Sequence, residues 1–163
     1  MSTRVAPLLV LVWGNPSRGD DALGPLLAER LIDHAQIAGL SNRVEVLTDF
    51  QLQVEHALDL VGRERVLFVD AALDLAEPFT VRPLQAARGA GIGSHALAPE
   101  AVLQVFQDLH HQPPPPATLL AIRASAFELG APPGVQALSD LDQAVAWACR
   151  WLQRERFAEE IPA

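Results

Sequence analysis

The sequence has a single cysteine, Cys149, so neither an intrachain disulfide nor a cysteine-built zinc cage can form in it. Positive charge is scarce as well. Twelve basic residues against 20 acidic ones leave a formal net charge of -8, which argues against a broad nucleic-acid or anionic-membrane surface. No apolar run approaches the roughly 20 residues needed to cross a bilayer. The run from Leu8 to Val12 leads into Asn15-Pro16-Ser17-Arg18 rather than a small-residue cleavage pattern, so it is not read as a signal peptide. The serine-hydrolase elbow Gly-x-Ser-x-Gly is missing. Gly14 and Gly19 have the spacing of a phosphate-binding loop, but Asp20 and Asp21 stand where a lysine and a hydroxyl would be needed, and two carboxylates would repel a triphosphate. These exclusions leave a single cytoplasmic domain over residues 1–163, long enough for one substantial core, with no nucleic-acid or membrane partner expected.

What is present is organised around the stretch from Leu8 to Gly24. A short apolar run suited to a strand buried on both faces enters a Gly/Asn/Pro/Ser turn, which delivers two adjacent carboxylates to the start of a helix. Leu23, Leu26, Leu27, Leu31 and Ile32 give that helix its inward face. Arg43 to Asp49 reads as a second strand. Gln53 to Leu60 reads as a helix with Val54, Ala57, Leu58 and Val61 inward, stopped at Gly62. Arg65 to Ala71 is the strongest strand of the middle chain, and Phe79 to Leu84 reads as a fourth. A glycine-rich loop from Ala86 to His95 precedes a helix from Pro99 to His110, with Val102, Val105, Phe106 and Leu109 inward. Ala117 to Ile122 is the last strand, and a long helix runs from an N-cap at Ser139 to about Phe157, with Cys149 on its inner face as a structural thiol. This order predicts a three-layer α/β/α sandwich with a twisted, mostly parallel sheet of about five strands.

Carboxylates stand at the predicted ends of three strands: Asp20 and Asp21 just past the first, Asp49 on the second, Asp70 on the third. In a parallel sheet these ends share one edge, and His95 on the glycine-rich loop can reach it. Two carboxylates and an imidazole suit a borderline divalent metal such as nickel, zinc or manganese, with positions open to a substrate. The plainer reading gives Asp20 or Asp21 to the helix as an N-cap. Only one of the two can cap, and their mutual repulsion leaves the other to be explained. His110 and His111 read as a helix-end pair, and Arg18 and Arg123 as partners for carboxylates.

Gly14-Asn15, then Asp20-Asp21, then Gly24 resembles the signature of the hydrogenase maturation endopeptidases, which remove a C-terminal extension from the large subunit of nickel-iron hydrogenases. Val44 to Asp49, the strand closing on Asp70-Ala71, and Ser94-His95 before a helix follow in that family's order, so the resemblance runs from Leu8 to about Leu152. It implies an aspartate-dependent endopeptidase in which Asp21, Asp70 and His95 are both the catalytic and the metal-contacting residues. Asp21 stands where other members often have glutamate. The resemblance also implies that the enzyme holds no permanent cofactor and reads nickel already installed in its substrate, the C-terminal region of the large-subunit precursor. Many members carry a Gly-Thr-x-Gly-like segment after the second strand; here Asp49 to Glu55 replaces it, which is similar to the branch serving soluble NAD-reducing or bidirectional hydrogenases. Asp20, Asp49, Gln51 and Gln53 are then candidate substrate contacts, and the acidic chain is expected to be a monomer. The competing readings are a non-catalytic metal- or precursor-binding chaperone on the same fold, and a small peptidase or amidase with its own metal.

Overall fold

The computed structural model describes residues 4–89 and 97–154. Ser94, His95 and most of the glycine-rich loop lie outside the described residues, as does the expected end of the last helix near Phe157.

Five strands form one sheet: β1 (Leu8–Trp13), β2 (Val44–Asp49), β3 (Arg65–Leu73), β4 (Phe79–Leu84) and β5 (Ala117–Ala124), in the spatial order β2-β1-β3-β5-β4. The first four in that order run parallel, and β4 closes one edge antiparallel to β5. Pro83, which cannot donate to a ladder, is tolerated because β4 is an edge strand. Three α-helices cover the sheet: α1 (Leu23–Ile37), α2 (Pro99–His110) and α3 (Val135–Gln153). Short 3-10 helices span Gly19–Ala22 and Val54–Leu60.

Alternation along the strands divides the apolar residues between two cores. Leu8, Val10 and Val12 of β1, with Leu67 and Val69 of β3, pack on Leu27 and Leu31 of α1 and on Leu141, Ala148 and Trp151 of α3. Leu9, Leu11, Val66 and Phe68 face the other way, onto Ala57 and Leu60 of the second 3-10 helix and Val102, Leu103 and Phe106 of α2. The sheet is therefore the middle of three layers, and β1 and β3 are apolar throughout their centres because both their faces are covered. At the opposite end of the strands Arg65 is buried: its guanidinium donates to the carbonyls of Trp151 and Arg154 and lies 4.5 Å from the Trp151 ring centroid, which ties β3 to the end of α3.

Several local expectations change. Ile32 is 42% exposed, and Gly24 and Ala28, not large residues, let α1 lie close to the sheet. The second 3-10 helix buries His56, Ala57 and Leu60 and turns Val54, Leu58 and Val61 outward, because three residues per turn set a different face from 3.6. In α2, Leu103 is buried and Leu109 exposed. Helix α3 begins at Val135, with Gly134 as N-cap and no side-chain cap, so Ser139 lies inside it. Cys149 is half-buried beside the core, and burial pushes its thiol pKa up, as befits an inert group. Among the described residues no helix is long and apolar enough to cross a membrane.

Candidate active site

The chain passes from β1 to β2 on one side and then crosses to β3 on the other, so the strand order reverses between β1 and β3. In an open parallel sheet, the crevice beyond the carboxyl ends of such a strand pair is where ligands settle. The Gly14–Gly24 segment and Asp70 both lie there.

The loop after β1 is shaped by close approaches. A Cβ on Gly14 would stand 2.3 Å from the Asp21 carbonyl oxygen, and one on Gly24 would meet the Val12 side chain at 2.8 Å and the Trp13 carbonyl oxygen at 2.9 Å. Asn15 folds the turn upon itself, its Oδ1 accepting the Ser17 N–H at 2.8 Å. The Asn15 N–H in turn donates to Asp21 Oδ2 at 2.8 Å, so the carboxylate is aimed back across the loop instead of onto the helix. Gly14→Ala is expected to push the Asp21 backbone out of place and cost about 2 kcal/mol or more in stability, read by denaturant unfolding, together with most activity.

Asp20 and Asp21 divide their labour in a way that corrects the capping expectation. Helix α1 has Ala22 as N-cap and no side-chain cap, so neither aspartate caps it. Asp20 is 3% exposed. Its Oδ2 accepts the Ser125 N–H at 2.7 Å and the Ala126 N–H at 3.4 Å, and its Oδ1 accepts the Gly134 N–H at 2.8 Å. The loop between β5 and α3 is thus held against the signature by one buried carboxylate, and backbone bonds from Gly19 to Ala131, from Asp20 to Ala126 and from Gly130 to Ser17 complete the seam. Asp20 is a structural anchor: its buried carboxylate is engaged by three backbone N–H groups.

Asp70 is not the last residue of its strand, as expected, since the β3–β5 ladder continues to Leu73 and Ala124. It is where β3 outruns β1, one step past the last pair, Val12 and Val69. There it is largely enclosed, and its pKa is raised from 3.8 to about 7. Burial is the main cause and the Asp21 charge adds to it, while the Ala71 N–H, 2.8 Å from Oδ1, and the Trp13 indole pull the other way. Asp21 and Asp70 therefore share one electrostatic site, and Asp70 is poised to exchange a proton at neutral pH. The Trp13 ring lies edge-on to Phe68, with centroids 6.2 Å apart.

On the far side of Trp13, which pairs in register with Asp49, lies a second polar group. Asp49 Oδ2 is 3.3 Å from His56 Nε2 and 3.4 Å from Gln53 Nε2, and Oδ1 accepts the Phe50 N–H at 2.7 Å. At about 4.8 Å per strand, Asp49 and Asp70 stand about 10 Å apart along the rim. Sequence reasoning missed His56. The signal was its place three residues after Gln53, where a capping box puts an acceptor. Gln51 is exposed at the bend after β2. Of the cations, Arg123 forms a two-pronged pair with the buried Asp140, at 2.8 and 3.1 Å, which holds the Asp140 carboxyl below its ordinary range. Among the described residues the Arg18 guanidinium reaches the Phe127 carbonyl and no carboxylate. Among the described residues no three His, Cys, Asp or Glu side chains gather as a metal site; His95 is not among them.

The five-stranded, mostly parallel sheet between helices is a fold shared with solved hydrogenase maturation proteases. Among solved structures the chain is similar to the [NiFe] hydrogenase maturation protease HycI from Thermococcus kodakarensis KOD1, at 18% identity and a TM-score of 0.68 over 94% of this chain and 96% of that one. It is also similar to the hydrogenase maturating endopeptidase HybD from E. coli, at 17% identity and 0.65 over 90% and 91%, and to HybD from Thermococcus kodakarensis, at 19% and 0.63 over 89% and 98%. At such identities the likeness is one of fold. The chain matches no family profile and no curated protein.

Proposed function

We propose that this protein is an endopeptidase that removes the C-terminal extension of a nickel-iron hydrogenase large-subunit precursor once nickel has been inserted, with the nickel part of the substrate. The observation that carries the reading is the pairing of Asp21 with Asp70 in the switch-point crevice, where Asp70 titrates near neutrality. The fold shared with structures titled as hydrogenase maturation proteases supports it. Two carboxylates held together carry a mutual repulsion that a divalent cation relieves, so a precursor carrying its metal binds where an empty one leaves the charges unpaired. His95 is the third member of the set by family resemblance. Asp70, with a pKa near the working pH, is suited to take a proton from the attacking water and return one to the leaving amine. By the same resemblance, Asp49 to Glu55 together with Asn15 to Asp21 supports a substrate of the soluble NAD-reducing or bidirectional type.

The test is the intact mass of a nickel-loaded precursor and a nickel-free one, before and after incubation with the protein. Loss of a C-terminal peptide from the loaded form alone is expected; binding without loss of mass would make the protein a chaperone, and cutting of both forms would remove the nickel check. Because Asp70 must surrender its proton to meet a cation, the processing rate is expected to fall as pH is lowered through about 7. A rate flat from pH 6 to 8 would assign the rate-controlling proton elsewhere. His95→Ala should leave unfolding unchanged and processing undetectable.

A further inference from the structure

His56 has both ring nitrogens committed. The Gln53 N–H donates to Nδ1 at 2.8 Å, and the Gln53 side chain accepts the His56 N–H in return, a reciprocal cap at the start of the 3-10 helix. An Nδ1 that accepts leaves the neutral ring's proton on Nε2, and Nε2 is the atom 3.3 Å from Asp49 Oδ2. The ring is 9% exposed, so this tautomer and orientation are set by its surroundings. Glutamate or glutamine usually occupies this place in a capping box. Glutamate would satisfy the cap equally but would set a second negative charge against Asp49. Histidine closes the cap with one nitrogen and steadies the carboxylate with the other.

Asp49 is oriented in consequence. Its Oδ2 is occupied by His56 and Gln53, and its Oδ1 takes the Phe50 N–H with capacity to spare, on a side chain 35% exposed at the mouth of the rim. We propose that His56 is a positioning residue that fixes Asp49 as an acceptor for a hydrogen-bond donor of the bound precursor segment, about 10 Å along the rim from Asp70. The inference rests on the endopeptidase reading above and names a second point of substrate contact for that site. It makes the Asp49–Gln53–His56 cluster a recognition element, separate from the pair that does the chemistry.

Two variants separate positioning from folding. His56→Gln offers an oxygen to the cap and an amide N–H to Asp49; His56→Glu keeps the cap and sets a charge against Asp49. His56→Gln is expected to process the loaded precursor with KM within about twofold of wild type. His56→Glu should raise KM about tenfold, the scale of one lost hydrogen bond to a charged group, with kcat within twofold when assayed well below a melting temperature lowered by the charge set against Asp49. Asp49→Asn should raise KM similarly, and adding His56→Glu to it should do little more, since the two changes break one interaction. Equal KM values for His56→Gln and His56→Glu, or additive losses in the double variant, would overturn the proposal. Imidazole nitrogen shifts of the free protein give a reading independent of any substrate: a neutral ring protonated on Nε2, perturbed by Asp49→Asn, is expected. A ring protonated on Nδ1 would overturn it even if processing is observed. Should the wild type cut no precursor, the endopeptidase reading falls and these shifts alone decide whether His56 holds Asp49.

Discussion

Asp70→Asn is expected to abolish precursor processing and, in the same protein, to raise stability at pH 8. The carboxyl has a pKa of about 7 in the folded chain against 3.8 ordinarily, so the folded state binds its proton more tightly than the unfolded state does. With this sign, stability falls as pH rises from about 4 to 7, and the whole cost is borne above 7. About three pKa units correspond to about 4 kcal/mol at full ionisation. An asparagine keeps an oxygen for the Ala71 N–H and sheds that cost. The variant should melt about 10 °C above wild type at pH 8, and the two curves should meet near pH 4. Thermal unfolding at these two pH values, beside a processing assay, checks both halves. Equal melting at pH 8 would mean that the site does not strain Asp70, and retained processing would remove it from the chemistry. Stability given up at the reacting group is what a site assembled for catalysis leads one to expect.

The second large effect lies at Asp20 and has the opposite sign. Asp20→Ala should cost about 3–5 kcal/mol, because three backbone N–H groups lose their acceptor where the carboxylate is 3% exposed. Asp20→Asn should be nearly as damaging. Both oxygens accept, one from Gly134 and the other from Ser125 and Ala126, so either orientation of the amide turns an N–H against an N–H. Denaturant midpoints give the measurement. An asparagine variant as stable as wild type would mean that one oxygen suffices and that the anchor is weaker than its burial implies. Asp21→Asn, by contrast, should leave the midpoint within about 0.5 kcal/mol of wild type or raise it, since that side chain meets only one N–H and lies beside another carboxyl. Adjacent aspartates are thus separable: one holds the loop and the other serves the cleft.

The sheet and its connections were legible because apolar runs and turns are local signals. The run Leu8 to Val12 is buried on both faces as read, and α2 occupies the expected residues with Pro99 in its first turn. What escaped was non-local. A serine is a good cap, so Ser139 is the local choice for the start of α3; the N-cap is instead Gly134, five residues sooner, where Asp20, 114 positions away, accepts the Gly134 N–H. A sequence window cannot contain that partner. The anchoring contacts of Asp20 escape a sequence window for the same reason. His56 was lost differently: reading Gln53 to Leu60 as an α-helix drew attention to Val54 and Leu58, and the 3-10 turn buries the histidine instead. Of the chemical set, Asp21 and Asp70 come together as expected; His95 falls outside the described residues.

The span bridged by Asp20 has a further consequence during synthesis. The signature is the first part of the rim to leave the ribosome, whereas the groups that engage its buried carboxylate, Ser125, Ala126 and Gly134, are among the last. Closing a loop of that length has to await the C-terminal third of the chain, and contacts so distant in sequence form late. A nascent chain with β1 to β3 already paired would still carry an unsealed rim. Translation itself therefore delays the moment at which the aspartate pair is set in place, and a half-made chain lacks a finished rim by construction.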